Sequence, residues 1–177
     1  MSVIGVFCAS RLPADPCHAE AARQLGQWIG RSGHTLMYGG SRLGLMEITA
    51  RAVHESGGRV YGAIPDVLVD RGLVGECVDV EFRCAGLSDR KEIFLRECDL
   101  FVALPGGVGT LDEIFTVVAA ATIGEHTRRT VLLDVAGFWR PLLAMLDAMR
   151  REGLVDEGLA NRLVSVGSVD ELAKLCP

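Results

Sequence analysis

Residues Asp99 to Phe115, DLFVALPGGVGTLDEIF, join an apolar run to a glycine cluster and then to two carboxylates. Pro105, Gly106 and Gly107 end the run, Gly109 follows, and Thr110-Leu111-Asp112-Glu113 opens a segment that reads as a helix. Glycine lets backbone N–H groups approach a phosphate, and a helix N-terminus adds partial positive charge. Gly106, Gly107, Gly109 and Thr110 are therefore candidate phosphate ligands. A glutamate does not share a site with an anion, so Glu113 must serve another part of the ligand. Asp112 lies about 100° around the helix from Glu113 and cannot face the same atom; it reads as a surface residue complementing the helix dipole. Thr110 to Glu113 also fits a capping box, in which the glutamate bonds back to the cap residue's N–H. The glycine loop and the upstream pair Arg90-Lys91 weigh against a mere cap, because a cap needs neither.

The chain must place these residues with alternating strands and helices. Short apolar runs at Val3–Ala9, Thr35–Gly40, Arg59–Pro65, Val78–Cys84, Leu100–Gly107 and Thr130–Val135 predict strands. Helix-length segments at Asp15–Ser32, Leu45–Ser56, Ser88–Glu97, Thr110–Ile123 and Phe138–Arg151 separate or follow them, with a short final helix at Val169–Leu175. The alternation predicts an α/β fold: a Rossmann-like, doubly wound, mostly parallel sheet with helices on both faces. At 177 residues, 49% hydrophobic, the chain suits one domain spanning 1–177. Ligands of such sheets bind beyond the carboxyl ends of the strands where strand order reverses. The loops CASR, YGGSRLG and PGGVGT all follow strands and should converge there, which adds Ser10 and Gly40 to the candidate ligands.

Composition narrows the chemistry. Net charge is −5 with the basic residues scattered, so a polymeric nucleic acid or anionic membrane partner is not indicated. No apolar run reaches membrane-spanning length, and six cysteines without paired spacing suggest reduced thiols in a cytoplasmic protein. No G-x-x-x-x-G-K-[ST] supports triphosphate hydrolysis, and no G-x-G-x-x-G follows the first strand to support a dinucleotide. His18, His34, His54 and His126 are dispersed, so neither a metal nor a cofactor is expected. A monophosphate fits better than a dinucleotide.

PGGVGTLDE, Pro105 to Glu113, resembles the P-G-G-x-G-T-x-x-E signature of the LONELY GUY (LOG) family, and Asp89-Arg90-Lys91 resembles its second element. The likeness extends through YGGSRLGLM, GGRVYGAIP and RECDLFVALPGG, most of the chain. It implies a cytokinin riboside 5'-monophosphate phosphoribohydrolase: water cleaves the N-glycosidic bond of an N6-modified AMP, releasing base and ribose 5-phosphate. It also implies catalytic roles for Arg90 and Glu113. Cleavage builds positive charge on the ribose, which a carboxylate stabilises, while the glycine loop holds the phosphate at the other end of the sugar. Lys91 is divided between ligand contact and a surface ion pair. Relatives were long labelled lysine decarboxylases, yet the only lysines are Lys91 and Lys174.

This chain departs from the family pattern at several positions. Glu47 replaces a glycine and, if turned into the crevice, would repel a phosphate. Ala9 and Arg11 stand where glycine and serine are common, and Ala120 and Thr122 where tryptophan and glutamine are frequent. A binding module of the same fold, such as a carrier of a phosphorylated pterin-type cofactor, would keep the glycine loops but would not need Arg90 and Glu113 together.

The Thr110–Ile123 segment is apolar almost all round and needs a second apolar neighbour besides the sheet. The chain's own C-terminal segment could supply it; so could a second copy packed through Ala119 to Ala121. The resemblance implies the second, a homodimer.

Overall fold

The computed structural model describes residues 1–176. Seven strands form one sheet: β1 (Val3–Phe7), β2 (Thr35–Tyr38), β3 (Arg59–Pro65), β4 (Val80–Cys84), β5 (Leu100–Ala103), β6 (Thr130–Leu133) and β7 (Leu163–Val166). Their order is β4-β3-β2-β1-β5-β6-β7, and every neighbouring pair is parallel. The chain winds outward from β1 to β4, returns to lay β5 beside β1, and winds outward again. Strand order therefore reverses between β1 and β5, and the crevice expected of a doubly wound sheet opens beyond their carboxyl ends.

Among the described residues, α1 (Pro16–Arg31), α2 (Gly44–Glu55), α3 (Asp66–Asp70), α4 (Leu87–Glu97), α5 (Val108–Thr122), α6 (Arg140–Arg151), α7 (Leu159–Arg162) and α8 (Val169–Ala173) cross over or flank this sheet. Strand alternation sends side chains to two cores. Ile4, Val6, Leu36, Val102 and Val131 pack with Leu25, Ile29, Val53 and Leu172 of α1, α2 and α8. Phe7, Met37, Phe101 and Leu132 pack with Phe94, Ile114, Val117 and Leu146 of α4, α5 and α6. At roughly 25 cal/mol per Å² of apolar surface, burying each such side chain stabilises the fold by about 1.5–3 kcal/mol before entropy is counted.

Four features depart from what the sequence periodicity predicts. β7 was not expected, because Leu163–Val166 is a four-residue edge strand buried only at its two ends. The short helices α3 and α7 were likewise not expected. α6 begins at Arg140 rather than Phe138, since a 3-10 turn at Val135–Gly137 intervenes and Asp134 Oδ1 accepts from the Trp139 N–H at 2.8 Å. α5 begins at Val108, two residues before the expected start. No helix of the described residues is long and apolar enough to cross a membrane.

Candidate active site

Three loops meet at the switch point, stitched by backbone hydrogen bonds. The Ala9 N–H donates to the Pro105 carbonyl at 3.2 Å, and the Ala9 carbonyl accepts from the Leu45 N–H at 3.0 Å. The loop after β1 is thereby fixed between the glycine loop after β5 and the start of α2. A cavity of about 530 Å³ opens here, lined by Cys8 to Arg11, Met46, Leu87, Arg90, Lys91, Gly107 to Thr110, Asp112 and Glu113.

The start of α5 forms one wall. Its N-cap is Gly107, and no side chain caps it. The first intrahelical bond runs from the Leu111 N–H to the Gly107 carbonyl at 3.0 Å, which leaves the N–H groups of Val108, Gly109 and Thr110 without helical acceptors. With the helix starting at Val108, Thr110 is its third residue and Glu113 its sixth, so the capping box does not form. Thr110 and Glu113 are both buried, three residues apart on one face. Asp112 lies beyond the first turn and is not a dipole-complementing residue; its carboxylate accepts from Lys91 Nζ at 3.0 and 3.1 Å.

Glu113 accepts instead from Arg90 Nη2 across the α4–α5 contact. Both side chains are enclosed, Arg90 12% and Glu113 7% exposed. Burial raises the Glu113 pKa above the usual carboxylate value, with the Arg90 charge and hydrogen bond opposing the rise. Burial likewise pushes the neighbouring Cys8 thiol far up, and the Glu113 charge adds to this, which leaves Cys8 un-ionised and not a nucleophile near neutral pH.

The glycines divide by role. Gly107 and Gly109 line the cavity, and a side chain at either would meet open space. Gly106 does not line it: a Cβ there would stand 2.1 Å from Thr110 Oγ1, so this glycine admits Thr110. Gly40 is also outside the lining. Its φ of +76° and a Cβ position 2.5 Å from Ile64 Cγ1 explain the glycine without a ligand. Gly39, which sequence reasoning passed over, has a direct part, because a Cβ there would lie 2.7 Å from Arg90 Nη2. The guanidinium rests on bare backbone, and the double glycine after β2 was the available signal. Ser10 and Lys91 line the cavity, as do Leu87 and Met46, which sequence reasoning did not single out. Glu47 does not enter the crevice; its carboxylate accepts from Arg51 Nη2 at 2.8 Å, one helical turn on. Among the described residues no group of three or more His, Cys, Asp or Glu side chains is placed to hold a metal.

The switch-point crevice of this doubly wound α/β protein combines an uncapped helix start with a buried Arg–Glu pair. Comparison with known proteins makes this narrower. A family model described as "Possible lysine decarboxylase" matches residues 46–176. The chain is 37% identical over 169 residues to the cytokinin riboside 5'-monophosphate phosphoribohydrolase LOG5 of Arabidopsis thaliana, covering 96% of this chain and 74% of that protein. It is also 37% identical to the phosphoribohydrolase LOG of Oryza sativa subsp. japonica, covering 96% and 70%. Among solved structures, the molybdenum cofactor binding protein of Rippkaea orientalis superposes with a TM-score of 0.73 at 24% identity, covering 98% of this chain and 94% of that one. That last likeness concerns the fold alone. The chain belongs to the LOG family.

Proposed function

We propose that the protein hydrolyses the N-glycosidic bond of adenosine 5'-monophosphates, N6-modified AMP or AMP itself, to free base and ribose 5-phosphate. The observation that carries this reading is the buried Arg90–Glu113 pair facing the same cavity as the uncapped start of α5. From Val108 to Glu113 the helix rises about 7.5 Å, so a phosphate at the first turn and a carboxylate farther along address opposite ends of one ribose. The activity of the LOG5 and LOG relatives fits this arrangement.

In the reaction the C1'–N9 bond breaks, its electron pair leaves with the base, and the base takes a proton from solvent, to which Glu113 releases the proton it accepts from water. Water adds to C1' and gives up a proton. Glu113 stabilises the cationic sugar and accepts that proton; Arg90 keeps the carboxylate ionised and oriented against the desolvation that would neutralise it. A decarboxylase reading has less support. Carbanion chemistry at lysine's α-carbon calls for an electron sink, usually held by a free lysine amine. Here Lys91 is tied to Asp112, and Lys174 follows α8.

An assay of free base released from AMP, N6-modified AMP, GMP and CMP tests the reading. Release from the adenine nucleotides supports it, whereas nucleotide binding without release from any would favour a carrier or sensor. Activity should also depend on Glu113 ionisation. Because burial raises its pKa, kcat/KM is expected to fall with decreasing pH at a midpoint above the usual carboxylate range. A flat profile down to that range would contradict the role.

A homodimer belongs to the same proposal. The second apolar neighbour of α5 is partly its own chain: Val117, Val118, Ala120 and Ala121 are buried, and α6 and α7 contribute Leu142, Leu146 and Leu159 to the same core. Of Ala119 to Ala121, the stretch expected to pack on a second copy, only Ala119 is exposed. Exposed Val108, half-buried Phe115 and exposed Ala119, Thr122 and Ile123 remain on an outward stripe at helical spacing. Sedimentation should report about twice the chain mass, and Ala119→Glu should give monomers. Fully active native monomers would overturn the dimer.

A further inference from the structure

We propose that Arg11 receives the phosphate group of the ligand and sets the protein's selectivity for phosphomonoesters. This rests on the reading of the crevice as a nucleotide site and adds a residue that the catalytic pair does not require. Three cations line the cavity, Arg11, Arg90 and Lys91, against two carboxylates. Arg90 is taken by Glu113 and Lys91 by Asp112. Among the described residues Arg11 has no carboxylate within ion-pair distance. The cavity's uncompensated positive charge is thus carried by Arg11.

The backbone around Arg11 makes that placement unfavourable without an anion. Gly44, the first residue of α2, has φ +62°, and a Cβ there would lie 2.3 Å from the Arg11 N and 2.4 Å from the Ser10 carbonyl carbon. The Ala9 N–H bond to the Pro105 carbonyl sets the same loop beside the approach to α5. Arg11 is therefore flanked by the starts of two helices of 12 and 15 residues, both ends carrying partial positive charge. The acidic residue in the first turn of α2, Glu47, is turned to Arg51 and does not line the cavity. A phosphate dianion in contact with Arg11 and the free N–H groups of α5 would balance all three contributions. The guanidinium offers a planar fork suited to two phosphate oxygens.

The Arg11 side chain is exposed, so substitution should leave the fold intact. The test is calorimetric binding of ribose 5-phosphate and of adenosine to the wild-type protein, Arg11→Ser and Arg11→Lys, at two salt concentrations. Loss of one charge-assisted contact at a partly open site should weaken ribose 5-phosphate by about tenfold in Arg11→Ser, with partial retention in Arg11→Lys and a shallower salt dependence. Adenosine affinity should change by less than about twofold, since it has no phosphate to lose. Unchanged ribose 5-phosphate affinity in Arg11→Ser, with a wild-type melting temperature, would overturn the assignment. Equal weakening of adenosine would also overturn it, by placing Arg11 on the sugar or base. If ribose 5-phosphate depends on Arg11 while no base is released from AMP, the phosphate assignment holds and the hydrolase reading falls. Base release with a phosphate affinity indifferent to Arg11 gives the reverse.

Discussion

Glu113→Gln is expected to lower base release from AMP by about 10³-fold while the protein stays folded. The amide has the shape of the carboxylate, and its carbonyl oxygen can still accept from Arg90 Nη2, one of the bonds that join α4 to α5. What disappears is the negative charge, and with it stabilisation of the cationic sugar and the acceptor for the water proton. Because the site is enclosed, water replaces neither function well. The variant should keep a cooperative melt near the wild-type temperature, and it should still bind AMP, because the start of α5 is untouched. Steady-state turnover and a thermal melt on the same preparation check this. Near-normal turnover would remove Glu113 from the chemistry and leave the Arg90–Glu113 pair a structural tie.

The second large effect concerns the substrate. Adenosine is expected to be hydrolysed with a kcat/KM about 10³-fold below that of AMP. The N–H groups of Val108, Gly109 and Thr110 lack acceptors, no side chain caps the helix, and side chains at positions 107 and 109 would reach open space. An unphosphorylated nucleoside leaves all of these unused. The phosphate is remote from the bond being cleaved, so its binding energy serves to hold C1' against Glu113, and its loss should lower kcat as well as raise KM. Kinetics on both substrates under one condition measure the ratio. Comparable efficiencies would mean that the glycines serve only the strand-to-helix turn.

Much of this architecture is legible in the amino-acid sequence because burial imposes a period. Strands enclosed on both faces read as continuous apolar runs, and the segments between them repeat at helical spacing, which locates β1, β2, β3, β5 and β6 and the parallel winding, while the edge strand β4, buried only at Cys84, is marked by its valine and phenylalanine. β7 escaped because four residues at a sheet edge, with only Leu163 and Val166 buried, carry too little pattern. The start of α5 was misplaced for a related reason. Capping rules look for a side-chain acceptor, and Thr110 offers one, whereas the actual N-cap is Gly107, which has no side chain to signal it.

Glycines carried the most ambiguity, because one residue type serves ligand approach, positive φ and close packing alike. Gly107 and Gly109 border the cavity, while Gly106 makes room for Thr110, Gly40 for Ile64 and Gly39 for Arg90. Which service each performs depends on neighbours distant in sequence. The same holds for Glu47, whose partner Arg51 decides that it faces away from the crevice. The pairing of residues 90 with 113 and 91 with 112 is a consequence of α4 and α5 packing side by side, and no spacing within either helix encodes it.

The central claim is that this crevice hydrolyses a phosphorylated nucleoside at its glycosidic bond. Its most direct measurement is the joint quantification of free adenine and ribose 5-phosphate from AMP incubated with the wild-type protein in buffer lacking orthophosphate. The account predicts equal amounts of the two products, accumulating linearly with enzyme concentration, with no adenosine formed. AMP recovered intact at saturating protein, or adenosine appearing in place of adenine, would contradict it.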